Sequence, residues 1–390
     1  MEYQASSLYV PPSVSRYSRN TVLARGCTWM TLVVAREECH YRRMGGGVLL
    51  VGNFLSAATG AFTVGEELAI RLRELGRPVI ATSRQPRRVV RLLDMVATTV
   101  IRRHEYGVAH VDVYSGPAFL YAEAVCAVLR LLRKPYVLTL HGGELPEFGR
   151  RWPVRVRTLL RGAAVVTTPS RYLLEQMQPY RASLQVLPNA VDAGVHMFRP
   201  RERPQPRLLW LRAFHRIYNP ALAPAVVARL VAEFPEIRLT MIGPDKGDGT
   251  FQETVQRASR LRVGDRVTFP GAVAKAQVPA WLDTGDIFLN CASVDNAPVS
   301  VVEAMASGLC VISTRVGGIP YLLEDERNAL LVPPDDPDAM AGAVRRVLNE
   351  PGLAAMLSRN ARAKAEQLDW VAILPQWNAL LSMVSEKGTS

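Results

Sequence analysis

The chain has 390 residues, of which 48% are hydrophobic and 21% charged, and it carries a formal net charge of +12. This length fits two domains, and the composition excludes an intrinsically disordered chain. No apolar run approaches the ~20 residues of a membrane-spanning helix, no signal peptide is recognisable, and the five cysteines lack the CxxC spacing of metal sites. We therefore expect a cytoplasmic protein with reduced thiols.

Residues 1–43 have the character of an extension. They lack sustained hydrophobic periodicity and are interrupted by Pro11, Pro12 and many Ser and Arg residues. Met44 is followed by three glycines and then by an apolar run at 48–51, which is typical of a buried strand. The sequence predicts a poorly ordered, dispensable extension over 1–43 and a folded domain from residue 44.

Residues 44–198 alternate between short apolar runs and helical patterns. After the first run, strands are predicted at 78–82, 109–113, 136–141, 163–168 and 184–187. Helices are predicted at 64–75, 89–103, 117–132 and 171–178. Strands separated by helices of this length predict βαβ units and therefore a parallel sheet.

A proline-rich linker at 198–206 separates this domain from a second one over 199–369. The alternation restarts after the linker, with strands predicted at 208–211, 238–242, 266–269, 287–290 and 310–313. The fold class is therefore α/β, with two doubly wound domains and a ligand-binding cleft between the carboxyl ends of their sheets.

The segment from Asp295 to Gly308 carries the strongest chemical pattern. Pro298 suits the first turn of a helix and Gly308 its end, so Asp295 lies just before the helix and Glu303 inside it. Pro298 and Glu303 are then about 7.5 Å apart along the axis, roughly the span from a donor sugar to a ribose across a diphosphate. The helix dipole and free N–H groups favour an anion at the helix start, beside Val299, Ser300 and Val301.

The pattern acid-x7-Glu followed by Ala-Met-Ala-x-Gly resembles the signature of the family-4 retaining glycosyltransferases, with Asp295 where that family has Glu. Further segments match in the family's order over about residues 44–385, including Thr59-Gly60, His141-Gly142, 186–192, 267–271 and 314–320. The resemblance implies the GT-B fold, in which two Rossmann-like domains face a cleft. It also implies that a C-terminal helix within 370–390 completes the first domain, and a stripe of apolar side chains there fits this, namely Trp370, Leu374, Trp377 and Leu381.

The resemblance assigns roles to individual residues. The acids and cations expected at the reaction centre are His141, Arg212, Asp295 and Glu303. His141 would contact the transferred sugar, while Glu303 and Arg212 would be the main anchors of the donor. Other donor contacts implied are Thr59 and Gly60 near the diphosphate, and Gly243, Phe269 and Gly271 on the nucleotide side.

The second phosphate-binding cation departs from the family pattern. The family places an Arg after the first strand of the second domain and a Lys five residues later, but here Arg212 is followed at that position by Ile217. No lysine lies nearby in the sequence, so Arg216 and Asn219 are the polar candidates. A second cation matters because the leaving diphosphate gains charge in the transition state.

No metal or cofactor site is predicted. Asp283 and Asp286 form a DxxD pattern instead of the DxD of metal-dependent sugar transferases, and Asp286 is expected to cap or turn the chain before a strand. The loop that begins at Asp245 lacks the later Glu of a calcium loop. The ligand expected is a nucleotide diphosphate sugar, as donor substrate.

The sequence thus predicts a retaining glycosyltransferase that acts on a glycan or lipid-linked acceptor in cell-surface polysaccharide or glycolipid synthesis. Alternatives are a nucleotide-sugar epimerase of the same fold and a catalytically weak nucleotide-sugar-binding protein. A Rossmann dehydrogenase is disfavoured because Gly45, Gly46 and Gly47 precede the first strand. Nucleic-acid binding is not predicted, since the basic half lacks a recognised motif or interleaved aromatics.

The positive charge is concentrated in the first domain. Residues 44–198 hold 19 basic and 11 acidic residues, whereas 199–369 hold 21 and 20. One helical pattern places Arg87, Arg88, Arg91, Arg102 and Arg103 around Val89, Val90, Leu92, Leu93, Met95 and Val96. Another basic stretch contains Arg150, Arg151, Arg155, Arg157 and Arg161. A basic amphipathic helix suggests peripheral docking on an anionic membrane, on its inner face, unless these apolar residues belong to the core.

Overall fold

The computed structural model describes residues 46–56 and 63–387, apart from the side chain of Lys387. The predicted extension 1–43 and the predicted donor contacts Thr59 and Gly60 lie outside the described residues. Two six-stranded parallel sheets, each flanked by helices, build two consecutive α/β domains. This arrangement confirms the predicted fold class.

The first sheet has the strand order β2-β1-β3-β4-β5-β6. Its strands are β1 (Val48–Val51), β2 (Val79–Thr82), β3 (Val108–Val113), β4 (Tyr136–Leu140), β5 (Val165–Thr168) and β6 (Gln185–Val186). The helices of this domain are α1 (Val64–Glu74), α2 (Arg88–Ile101), α3 (Phe119–Leu131), α4 (Leu145–Arg151), α5 (Pro153–Arg161) and α6 (Arg171–Met177). Every residue of β1 and β4 is buried, which is why these strands are almost entirely apolar. The hydroxyl group of Thr139 in β4 is hydrogen-bonded to the side chains of His110 and Thr167.

Local sequence explains how α1, α4 and α5 begin. Thr63 and Glu66 form a capping box, in which the Thr63 hydroxyl accepts a hydrogen bond from the Glu66 N–H and the Glu66 carboxylate accepts one from the Thr63 N–H. Helices α4 and α5 were not predicted. They have seven and nine residues, too few to show a clear helical period, and Pro146 and Pro153 stand in their first turns.

The second sheet has the strand order β12-β11-β10-β7-β8-β9. Its strands are β7 (Arg207–Leu211), β8 (Arg238–Ile242), β9 (Val267–Gly271), β10 (Ile287–Asn290), β11 (Cys310–Thr314) and β12 (Leu330–Val332). The helices around it are α7 (Leu222–Leu230), α8 (Thr250–Arg260), α9 (Val278–Asp283), α10 (Val299–Ala306), α11 (Ile319–Leu322), α12 (Pro337–Asn349) and α13 (Leu353–Glu366). Strand β12, which was not predicted, has only three residues.

The last helix, α14 (Trp370–Lys387), returns to the first domain. Trp370, Trp377 and Leu381 are buried in one apolar cluster with Val48 and Leu50 of β1. The Trp370 N–H also donates a hydrogen bond of 3.0 Å to the carbonyl of Val191. Among the described residues, no helix is both long and apolar enough to cross a bilayer.

The linker between the domains is held by a buried ion pair. Asp286, immediately before β10, lies 3.0 Å from Nε of Arg201, and both side chains are almost completely buried. Arg207 also pairs with Asp286, at 2.8 Å. Asp286 therefore fixes the linker to the second sheet, a larger role than the cap or turn predicted, because its partners lie about 80 residues earlier in the chain.

The two domains meet along the carboxyl edges of their sheets. Nδ2 of Asn189 donates a hydrogen bond of 2.9 Å to the carbonyl of Ala297, and the hydroxyl of Ser170 bonds Asn296. A Cβ atom at Gly143 would lie 2.7 Å from the side chain of Val294. The loop after β4 and the segment before α10 therefore approach each other closely across the cleft.

Candidate functional site

A cavity of about 630 Å³ opens at the carboxyl ends of β7 and β8. The first turn of α10 and the loop after β9 form its other walls. The lining side chains and turns with evident chemistry are Arg212, Tyr218, Gly243, Lys246, Lys275, Ser300 and Glu303. This is the position at which doubly wound sheets bind ligands.

Helix α10 supplies a buried acid and a free helix start. Pro298 precedes the helix and no side chain caps it, so its first N–H groups stay available for an anion. Glu303 is buried, and its carboxylate accepts a hydrogen bond from Nζ of Lys275. The side chain of Val301 is completely buried, which leaves only its backbone for the predicted donor contact, whereas Val299 and Ser300 line the cavity.

Arg212 is fixed between an acid and an aromatic ring. Its Nη2 donates a hydrogen bond of 2.7 Å to Oδ1 of Asp295, and its guanidinium lies 4.3 Å from the ring centre of Tyr218. Burial raises the pKa of Asp295, an effect that the positive charge of Arg212 partly offsets. Among the described residues, Arg212 Nε and Asp295 Oδ2 are buried without a hydrogen-bond partner.

The structure brings to the cavity two lysines that are distant from Arg212 in the sequence. Lys246 and Lys275 both line the cavity. Arg216, predicted as a second cation, is exposed and is not among the residues that line it; Ile217 is. The chain has only five lysines, three of them in the predicted nucleotide-binding domain. Two of these, Lys246 and Lys275, each come just after a strand, and this was a usable signal.

Of the three residues predicted on the nucleotide side, Gly243 lines the cavity, whereas Phe269 and Gly271 do not. A Cβ atom at Gly243 would lie 1.7 Å from the carbonyl oxygen of Arg212, so only glycine fits. Phe269 packs instead against Phe214 and Phe251 in the core of the domain. Gly271 ends β9, just before the lining residues Ala272 and Val273.

His141 lies across the cleft in the first domain and has a partner that the sequence did not reveal. Its Nε2 is 2.9 Å from Oδ1 of Asp112, and its ring stacks on Tyr114 with 5.2 Å between the ring centres. Burial disfavours the charge of Asp112, but His141 outweighs this and lowers the pKa of Asp112. Asp112 is on β3 and His141 follows the neighbouring strand β4, so register brings them together.

A second cavity, of about 900 Å³, lies between the loop and helices after β4 and the second domain. Its walls include both charged and aromatic side chains, among them Glu144, Glu147, Arg150, Arg151, Trp152 and Tyr172. Ser293 and Val294 close it from the second domain. Within 46–56 and 63–387, no group of three or more His, Cys, Asp or Glu side chains is arranged to hold a metal ion.

Two family models match the chain. Residues 39–195 match "Glycosyltransferase Family 4" and residues 205–350 match "Glycosyl transferases group 1". One relative is a phosphatidylinositol N-acetylglucosaminyltransferase subunit of Arabidopsis thaliana, 31% identical over 43% of this chain and 37% of its own length. Another is the D-inositol 3-phosphate glycosyltransferase of Streptomyces avermitilis, 28% identical over 58% and 53%. The chain thus spans about a third to a half of the length of these curated relatives.

Solved structures share the architecture. Anabaena HepE in complex with UDP and glucose superposes with a TM-score of 0.70 at 20% identity, over 86% of this chain and 99% of that one. Sucrose-phosphate synthase from Thermosynechococcus elongatus gives 0.73 at 19% identity, over 87% and 98%. At this level of identity the likeness concerns the fold alone, and it confirms the predicted GT-B arrangement.

Proposed function

Since the chain belongs to family 4 of the group 1 glycosyltransferases, we propose that it transfers a sugar from a nucleotide diphosphate sugar to a glycan or lipid-linked acceptor, with retention of configuration. The observation that carries this proposal is the first cavity, where a buried acid, a partly buried arginine and an uncapped helix start converge. Such a set binds a ribose and a diphosphate together.

In this proposal the donor lies along the first turns of α10. Glu303 accepts hydrogen bonds from the ribose, and the N–H groups of Val299 and Ser300 face the diphosphate. Pro298 and Glu303 are five residues apart, about 7.5 Å along a helix, which fits the distance between those two parts of a nucleotide sugar. Arg212 stabilises the charge that develops on the leaving diphosphate.

We infer that the base is uracil. The support comes from neighbours of the same fold, since structures of Anabaena HepE contain UDP or UDP-glucose. Gly243, Ala272 and Val273 also line the cavity, and their backbone groups are suited to bind a base edge.

The proposed transfer takes place on one face of the sugar. The acceptor hydroxyl forms a bond to the anomeric carbon while the bond from that carbon to the diphosphate breaks. The hydroxyl proton passes to the leaving phosphate, so no second carboxylate is needed as a base. His141, held by Asp112 at 2.9 Å, contacts the sugar from the first domain and Asp295 from the second.

The second cavity is the proposed acceptor site. It adjoins the loop that follows His141 and is closed by Val294, next to Asp295. Trp152 offers an aromatic surface and Arg151 a positive charge, which suit a polyol that carries a phosphate. The names of two relatives refer to phosphatidylinositol and to inositol 3-phosphate, and this supports an acceptor of that general kind.

We further propose that the first two turns of α2 dock on an anionic membrane and bring the cleft to a lipid-linked acceptor. The exposed fractions of Val89 and Leu93 are 71% and 62%, so these side chains are not core. Arg87 and Arg88 beside them are exposed and form no ion pair with any described residue. Met95 is buried, and Arg91 hydrogen-bonds Asn53. The docking face is therefore smaller than the sequence pattern suggested.

The second predicted basic stretch contributes less to such a surface. Arg150 pairs with Glu147 and Arg155 with Glu123, so part of its charge is neutralised within the domain. The proposed location is the cytoplasm, with reversible attachment to the inner face of the membrane.

Incubation of the protein with UDP-, GDP- and ADP-sugars tests the function. We expect release of UDP from one UDP-sugar, accelerated by phosphatidylinositol, inositol 3-phosphate or a glycan. Conversion of the free nucleotide sugar into its epimer would identify the alternative enzyme. Binding without turnover on any acceptor would identify a nucleotide-sugar-binding protein, and no binding of any nucleotide sugar would refute the proposal.

A further inference from the structure

Lys275 occupies the boundary between the donor cavity and a small cavity of about 60 Å³ between the domains. The small cavity is also lined by Thr63 and Val64 at the start of α1 and by Val299 at the start of α10. The start of α10, which no side chain caps, therefore lies near this lysine and favours negative charge, whereas the start of α1 is already capped by Thr63 and Glu66. We propose that Lys275 is the second cation on the donor diphosphate. The inference rests on the proposed function and deepens it.

The charges in the cavity leave this task to Lys275. Arg212 is already committed, since it donates to Asp295 and stacks on Tyr218, and its side chain is only 19% exposed. A dianionic group at the start of α10 would therefore meet only one fixed cation. Lys275 has a 42% exposed side chain and one acid partner, Glu303, so its ammonium group keeps two N–H donors and the freedom to turn.

Glu303 explains why the lysine lies in this position. A buried carboxylate without a cation is costly, and Lys275 supplies that cation. When a ribose donates its hydroxyl groups to Glu303, the carboxylate is satisfied by the ligand. The ammonium group then turns toward the phosphates while it stays close to Glu303.

The surroundings of Lys275 also fit a charged ammonium directed between the domains. His196 lines the same small cavity, and burial together with the positive charge of Lys275 lowers the pKa of His196 to about 4. His196 therefore stays neutral near neutral pH and does not compete for the diphosphate. Lys246, at the other cation position of the large cavity, is exposed on the loop after β8, beside Gly243 and Pro244.

Calorimetric titration with uridine, UMP and UDP separates the two roles of Lys275. For the unmodified protein we expect affinity to rise with each phosphate. Lys275→Met should reduce the affinity for UDP by roughly 10- to 100-fold, the value of a charge-assisted hydrogen bond, and change that for uridine much less. Lys275→Arg, which keeps the charge, should retain most of the increase in affinity from uridine to UDP. Lys246→Met is the matched variant in the same cavity and should keep the ratio of UDP to uridine affinity within a few-fold.

Other results overturn the inference. If Lys275→Met lowers the affinity for uridine as much as the affinity for UDP, the lysine only neutralises the carboxylate of Glu303. If the increase in affinity from uridine to UDP is lost in Lys246→Met and not in Lys275→Met, the second cation is Lys246. If the unmodified protein binds UDP no better than uridine, the proposed donor site itself is wrong.

Discussion

Membrane docking through α2 makes a prediction with two separable parts, apolar and electrostatic. The apolar part is tested by the double variant Val89→Ser/Leu93→Ser. Complete burial of one such side chain contributes about 1.5–3 kcal/mol, and the exposed fractions are 71% and 62%. Insertion of both should thus contribute at least about 2 kcal/mol, so the variant should bind vesicles roughly 30-fold more weakly.

The electrostatic part is tested by Arg87→Gln/Arg88→Gln. Each arginine near an anionic surface contributes about 1 kcal/mol, so this variant should also lose roughly 30-fold, but only on vesicles that contain an anionic lipid. Leu131→Ser is the control, because Leu131 is 83% exposed but lies at the opposite end of the neighbouring helix α3. Its binding should equal that of the unmodified protein.

Co-sedimentation with phosphatidylcholine vesicles, with and without phosphatidylglycerol, at low and high salt provides the measurement. We expect binding that needs the anionic lipid and weakens at high salt. Equal binding to neutral and anionic vesicles, or binding that salt does not weaken, would refute the docking. So would a Leu131→Ser loss as large as that of the α2 variants, since any exposed leucine would then have the same effect.

Three further predictions concern the site and its support. Glu303→Ala should lower turnover of the nucleotide sugar at least ~100-fold, the scale of a lost transition-state contact; near-normal kinetics would contradict the assignment. Asp112→Asn should lower kcat by roughly 10- to 100-fold with little change in donor affinity, since it removes one charge-assisted hydrogen bond that orients His141; an unchanged pH profile and kcat would show that Asp112 is only structural. Burial lowers the pKa of His110 from 6.5 to about 4, so the folded state binds fewer protons than the unfolded one in this interval, and stability that is present above pH 6.5 is lost as pH falls toward 4. At pH 5 the loss is about 2 kcal/mol relative to pH 7. Urea unfolding should show a loss that is about 2 kcal/mol smaller in His110→Asn than in the unmodified protein and in His104→Asn, whose histidine is exposed, because the buried His196 still contributes its own loss in His110→Asn; equal pH dependence in all three would contradict it.

Local features of the sequence determined the order of elements and the helix that carries the donor acids. Alternating apolar runs and helical patterns are set by residues within a few positions of each other, so they predicted the parallel strands of both domains except the short β12. Pro298 and Gly308 bracket α10 for the same reason, and the sequence alone was enough to place Glu303 on that helix. The short helices α4 and α5 were not predicted, because their seven and nine residues are too few to show a helical period.

Only the tertiary structure decided which side chains meet at the site. Lys275 reaches Glu303 from a different element, 28 residues earlier, and Asp112 reaches His141 because β3 and β4 are neighbours in register. The same holds for α2, where the sequence left open whether the apolar residues dock on a membrane or belong to the core, and the structure buries Met95 while it exposes Val89 and Leu93. Helical spacing fixes which residues share a face, but the crossover connections and the packing of neighbouring helices determine what that face meets.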